Sequence, residues 1–159
     1  DYGMDKNIKF RGFIDLIIKD TVRNRIKIID IKTATHGWNK YQKVDKNKTD
    51  QLLLYKQFYS KQFDVPLDRI EVEYFIVKRK LWENTDFPQK RIQTFSPANG
   101  KPSINKVNLR LKNFIDDCFT DEGEYRADHI YIKTPSKKAC RWCDFRDKPK
   151  LCDKNGVRV

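Results

Sequence analysis

No run of apolar residues in this 159-residue chain approaches the roughly 18 that a membrane-spanning helix requires, so no segment is offered to a bilayer. No secretory signal peptide is visible, and the chain opens on Asp1 rather than Met, which reads as a cut or processed start. Internal repeats and low-complexity linkers are also missing. At this length one domain with a real core is expected, and two comfortable ones are not. Acidic residues are in short supply, 22 against 34 Lys and Arg, which leaves a net charge of +12. Such an excess favours a polyanionic partner through counterion release and steering; the plainer alternative is a solvated basic surface. Disorder is excluded by composition, because 13% aromatic and 38% hydrophobic residues can anchor a core. Cysteines number four, and Cys140, Cys143 and Cys152 crowd into the last twenty residues beyond Cys118. Without secretory context that spacing favours a metal or plain thiols over disulfides.

Residues 8–20 alternate, with Phe10, Gly12, Ile14, Leu16 and Ile18 on one face and Arg11, Phe13, Asp15, Ile17 and Lys19 on the other. A polar turn at 21–25 leads to a second β-rich run at 26–33, so the two strands should form an antiparallel hairpin. A loop rich in Lys, Asn and Asp is expected over 34–48. A helix capped by Thr49 or Asp50 is expected over 49–63, with Leu52, Tyr55, Tyr59 and Phe63 at helical spacing. Strands are expected at 69–81 and 89–95. A second helix, capped by Ser103, should present Ile104, Val107, Leu111, Phe114, Ile115 and Cys118 on one face. The order β-β-α-β-β-α implies an α/β (α+β) domain, a mixed sheet with helices packed on it. The core is placed at residues 1–133, and a cysteine-containing tail packed on it at 134–159.

The second strand carries Asp30-Ile31-Lys32. Residues two apart on a strand face the same way, roughly 6.6 Å apart, so Asp30 and Lys32 continue the face of Ile26 and Ile28. Asp15 lies in the partner strand, where register could set it beside Asp30. Two carboxylates and a backbone carbonyl, that of Ile31, are hard oxygen ligands suited to Mg²⁺ or Mn²⁺. A lysine beside them can orient water or stabilise charge on a phosphoryl group. The plain alternative is a salt bridge between Lys32 and Asp30 on a half-exposed strand.

Three features together change that weighting. They are Gly12-Phe13-Ile14-Asp15, the Asp15-to-Asp30 interval across a β-turn-β, and Gln51-Leu52-Leu53-Leu54-Tyr55 on the following helix, where Gln51 and Tyr55 share a face. The ensemble resembles the PD-(D/E)XK nucleases, in particular their RecB-like exonuclease branch of phage and CRISPR-associated type. There the pattern runs G-x-x-D, (D/E)-x-K, Q-x-x-x-Y. The resemblance covers residues 8–80 and, more weakly, the tail. It implies a restriction-endonuclease-like fold with an antiparallel catalytic hairpin, and Asp15, Asp30 and the Ile31 carbonyl as metal ligands. It further implies Lys32 as the catalytic lysine and Gln51 and Tyr55 as contacts to DNA near the scissile phosphate. Tyr55 packed in the core and a solvated Gln51 is the plainer reading of that pair. The expected activity is divalent-metal-dependent hydrolysis of DNA, as an exonuclease on single strands or duplex ends in recombination, repair or phage DNA processing. A structure-specific endonuclease and a non-catalytic binding module are the rivals. An intracellular setting, a bacterial cytoplasm or a phage-infected cell, goes with it. One departure matters: the family usually has a helix before the first motif strand, whereas only some eleven residues precede Gly12, with Asp5 a poor substitute for an acidic residue there.

Lysines interleaved with aromatics in His36, Trp38, Lys40, Tyr41, Lys43, Lys46 and Lys48 suit a single strand, cations for phosphates and rings for bases; a solvated connector is the alternative. Lys78, Arg79, Lys80 and Trp82 repeat the mixture. The tail, Cys140-x2-Cys143-x8-Cys152, resembles the triple that, with a fourth upstream cysteine, holds a [4Fe–4S] cluster in RecB-like members. Zn²⁺ is the alternative metal. The plain reading is a reduced turn packed by Trp142 and Phe145, with Cys118 elsewhere.

Overall fold

A computed structural model describes residues 8–127, 129–130, 136–146, 148 and 152. The chain divides into two compact units, residues 1–125 and 126–159. The boundary expected at 133/134 lies outside the described residues. The first unit holds a four-stranded sheet of β1 (Leu16–Asp20), β2 (Arg25–Ala34), β3 (Ile70–Lys78) and β4 (Ile92–Phe95), in the order β1-β2-β3-β4. β1 and β4 pair antiparallel with their neighbours, while β2 and β3 run parallel. Helices α1 (Lys40–Val44) and α2 (Lys46–Phe63) make the crossover that a parallel pair requires, and α3 (Lys101–Cys118) packs on α2. The mixed sheet with flanking helices is the α+β, restriction-endonuclease-like architecture expected. Among the described residues no helix is long and apolar enough to cross a membrane.

Alternation decides which face of the sheet is buried. Ile28 on β2 and Ile70, Val72, Tyr74 and Ile76 on β3 point at α2, which answers with Leu52, Tyr55 and Tyr59. The hairpin turn is closed by Asp20, whose Oδ1 accepts from the backbone N–H groups of Val22 and Arg23. On the opposite face Leu16, Ile18 and Ile31 stay nearly half exposed.

Three expected boundaries move, each for a local reason. The first strand spans Leu16–Asp20 rather than 8–20. Upstream of it the chain leaves β2 and crosses α2: Phe10 stacks on Phe58 with centroids 4.9 Å apart. A Cβ built on Gly12 would stand 2.7 Å from Tyr55 Cε1, so only glycine allows this approach. The connector expected as a loop over 34–48 is largely helical. Asn39 forms a capping box with Gln42 to start α1. Asp45 then closes α1 and caps α2, three residues before the expected start, its side chain accepting from the Asn47 N–H. Helix α3 begins at Lys101 behind Gly100 instead of at a Ser103 cap. It buries Ile104, Val107 and Ile115, whereas Phe114 is exposed and sits edge-on to Phe119.

In the second unit Ser136 caps the short α4 (Lys137–Cys140), its Oγ accepting from the Ala139 N–H. Trp142 is 81% exposed with Arg141 over its ring, so it does not pack the turn as expected, and Phe145 is more than half exposed.

Candidate active site

The β1–β2 ladder ends at Leu16 paired with Ile29, and β2 runs on alone beside β3. At that fork the chain bends at Asp15, and the Asp15 Oδ2 accepts from the Ile31 N–H at 2.8 Å, standing in for the next ladder bond. Asp15 is thereby fixed against the residue that follows Asp30, and remains exposed. Asp30 itself is buried at 2% exposure, opposite Tyr74 in the parallel register. Burial pushes the Asp30 carboxyl above its ordinary value; the Lys32 hydrogen bond and charge oppose that rise, and the Asp15 charge adds to it.

Lys32 joins strand to helix. Its Nζ stands 2.7 Å from Asp30 Oδ2 and donates to Gln51 Oε1 at 2.9 Å. A lysine ammonium can only donate, so the Gln51 oxygen must face it and the amide nitrogen must face away. That nitrogen donates to the Tyr55 hydroxyl oxygen at 2.8 Å, which leaves the Tyr55 proton free to donate onward. The Tyr55 ring is buried in the core, as its plain reading had it, while its hydroxyl completes a polar chain with Gln51. Tyr74 adds a second tie between sheet and helix by donating to the Lys48 carbonyl. Burial, reinforced by Asp30, holds its phenol well above the usual range, hence neutral.

Asp15, Asp30 and the Ile31 carbonyl suit a hard divalent cation. The buried Asp30 Oδ2 pairs with the Lys32 ammonium at 2.7 Å and meets no other donor among the described residues, so acceptor capacity remains on this carboxylate near a second one. One or two carboxylates, completed by water and substrate phosphate, is an ordinary Mg²⁺ environment. Among the described residues no three His, Cys, Asp or Glu side chains gather into a ligand group. The cation would therefore rest on two carboxylates and a carbonyl.

A family model of the PD-(D/E)XK nuclease superfamily matches residues 1–148. The chain belongs to that superfamily. Its members are in general nucleases, phosphodiester hydrolases that use Mg²⁺ or Mn²⁺ on nucleic acid, although some are inactive. No curated protein and no solved structure gives a significant match to the chain.

As a PD-(D/E)XK chain the protein gathers Asp15, Asp30, Ile31, Lys32, Gln51 and Tyr55 in one place, but not every residue singled out as a DNA contact is available. Trp38 is a correction: it is 6% exposed and packs on Tyr74 and Phe95, so its ring cannot receive a base. Lys43 and Lys48 lie over the rings of Phe95 and Trp38. Tyr41 is 70% exposed, with Lys40 over its ring. Asp5 lies outside the described residues. Cys140, Cys143 and Cys152 do not gather into a ligand set, so neither a [4Fe–4S] cluster nor Zn²⁺ has support. Sequence reasoning missed Tyr74 as the partner of Asp30. Its phase with Ile70, Val72 and Ile76 marked it as inward-facing, but only the parallel register sets it opposite the carboxylate.

Proposed function

We propose that the chain is a metal-dependent deoxyribonuclease of the RecB-like branch, an exonuclease acting on single strands or duplex ends in recombination, repair or phage DNA processing. The observation that carries this reading is the unbroken polar chain from Asp30 through Lys32 and Gln51 to Tyr55, with Asp15 at its head. The Q-x-x-x-Y pair is wired to the lysine, which supports the RecB-like assignment over a chance D-x-K.

In this reading Asp15, Asp30 and the Ile31 carbonyl hold Mg²⁺ or Mn²⁺. When bound, such an ion supplies Lewis-acid polarisation of the phosphoryl oxygen and lowers the pKa of water. Lys32, pinned by Asp30 and Gln51, orients the attacking water and places positive charge where negative charge develops on the phosphoryl oxygens. Tyr55 donates its free proton to a phosphate oxygen. Lys40, Tyr41 and Lys43 on α1 contact the strand outside the site.

End-labelled linear and circular single-stranded DNA, incubated with the chain and Mg²⁺ or Mn²⁺, test this. Metal-dependent loss of the linear strand with the circle intact is expected. Cutting of the circle would make the enzyme an endonuclease, and salt-sensitive binding without cutting of either would make it a binding module.

A further inference from the structure

Beyond the C-terminal ends of β2 and β3 lies a groove of about 660 Å³ that the candidate chemistry does not use. Its lining includes Lys48, Arg79, His36 and Trp82 and, among the described residues, no acidic side chain. His36 and Trp82 stack with centroids 3.9 Å apart and planes 10° apart, while Trp82 is 62% exposed, so it offers a ring already braced from behind. The His36 Nδ1 is buried and has no hydrogen-bond partner among the described residues.

The shelf is held firmly. Gln93 accepts from the Trp38 N–H at 2.7 Å and donates to the Trp38 carbonyl at 3.1 Å, clamping the segment that carries His36. Gly37 takes a φ of +97°, and a Cβ there would press on Gln93 and Lys78. Past the strand ends, the N–H groups of Arg79 and Lys80 donate to the carbonyls of Ala34 and Thr35, both at 2.8 Å, which sets His36 against the stretch leading to Trp82. The groove also adjoins the polar chain. Lys48 lies three residues before Gln51 on the same helix face, about 4.5 Å along the axis.

A braced aromatic plane, two cations and no carboxylate select a ligand that is planar and anionic. We infer that Trp82, backed by His36, is a positioning residue that stacks one base of the nucleic-acid strand next to the scissile phosphate, with Lys48 and Arg79 facing that nucleotide's phosphate. This rests on the reading of the neighbouring site as a nuclease.

Binding to fluorescent single-stranded DNA in metal-free buffer, with an abasic residue moved one position at a time, tests it. One position should weaken binding by about tenfold, the scale of a single base–aromatic stack. Trp82→Ala should weaken the intact strand by a similar factor and lose sensitivity at that position, and Trp82→Phe should retain most of both. A melting curve for each variant checks the fold. If Trp82→Ala binds the intact strand as the parent does, or if the abasic and Trp82→Ala losses multiply, the shelf is wrong. Cleavage that proceeds with no position sensitive to base loss removes the shelf alone. A parent chain that neither binds nor cuts any strand removes the nuclease reading with it.

Discussion

Two charged side chains are buried on α2 or against it, and they are handled in opposite ways. Lys56, 5% exposed, donates to the carbonyl and the side-chain oxygen of Asn99, both neutral acceptors in the connector ahead of α3. Its charge is enclosed and held by two acceptors of one residue. Asp30, 2% exposed, pairs with the Lys32 ammonium at 2.7 Å and stands near a second carboxylate, Asp15, that repels it. Both groups are pushed towards their neutral forms, chiefly by burial. A buried charge with its partners complete is a structural plug. One with acceptor capacity left beside another of its own sign is, in the proposed reading, where a cation would sit.

The contrast is broken most directly at Asp30 and Lys32. Asp30→Asn or Lys32→Ala should lower metal-dependent cleavage by about 10²-fold or more, with strand affinity largely kept. Lys56→Met should leave cleavage near the parent rate. Near-parental cutting by either site variant, measured on labelled single strands, would show that the incomplete charge is not the working one.

The next effect is on stability. Gly12→Ala places a methyl against the Tyr55 ring and should cost about 1–3 kcal/mol in urea unfolding. Combined with Tyr55→Leu, the loss should be less than additive, because the contact is shared. Additive losses would mean that the two motifs do not meet in solution.

The smallest effect is a pH slope. Burial lowers the Lys56 ammonium below its ordinary value, with Asp68 and Glu71 opposing. The folded chain then binds fewer protons than the unfolded chain between the lowered and the ordinary value. Stability should therefore rise with pH through that window. Lys56→Met should flatten the rise in alkaline denaturation curves, and an unchanged slope would show that the ammonium is not desolvated.

Period-two alternation placed Asp30 and Lys32 on the face of Ile26 and Ile28, and the fold keeps them there, with Ile28 and Asp30 buried. Helical spacing likewise set Gln51 and Tyr55 on one face, and they hydrogen-bond. These are local periods, legible because each depends on a few neighbouring residues. What escaped depends on contacts far apart in sequence. Residues 8–15 alternate like a strand, yet ring packing on α2 overrides that pattern. Trp38 reads as a solvent-facing member of a basic segment until β3 and β4 supply Tyr74 and Phe95 around it. Composition could not reveal Asp45 ending one helix and starting the next, because that depends on the backbone turn between them.

The close approach of Gly12 to Tyr55 also bears on how such chains can change over time. A side chain at position 12 presses on the ring at position 55 and one of them must shift, so change at one position is felt at the other and couples the G-x-x-D and Q-x-x-x-Y signatures. A lineage that gained bulk at 12 would relieve the strain most simply by shrinking 55, giving up the hydroxyl that Gln51 holds. Packing thus ties the two signatures together, and paired change at these positions is the trace expected where such a site is lost.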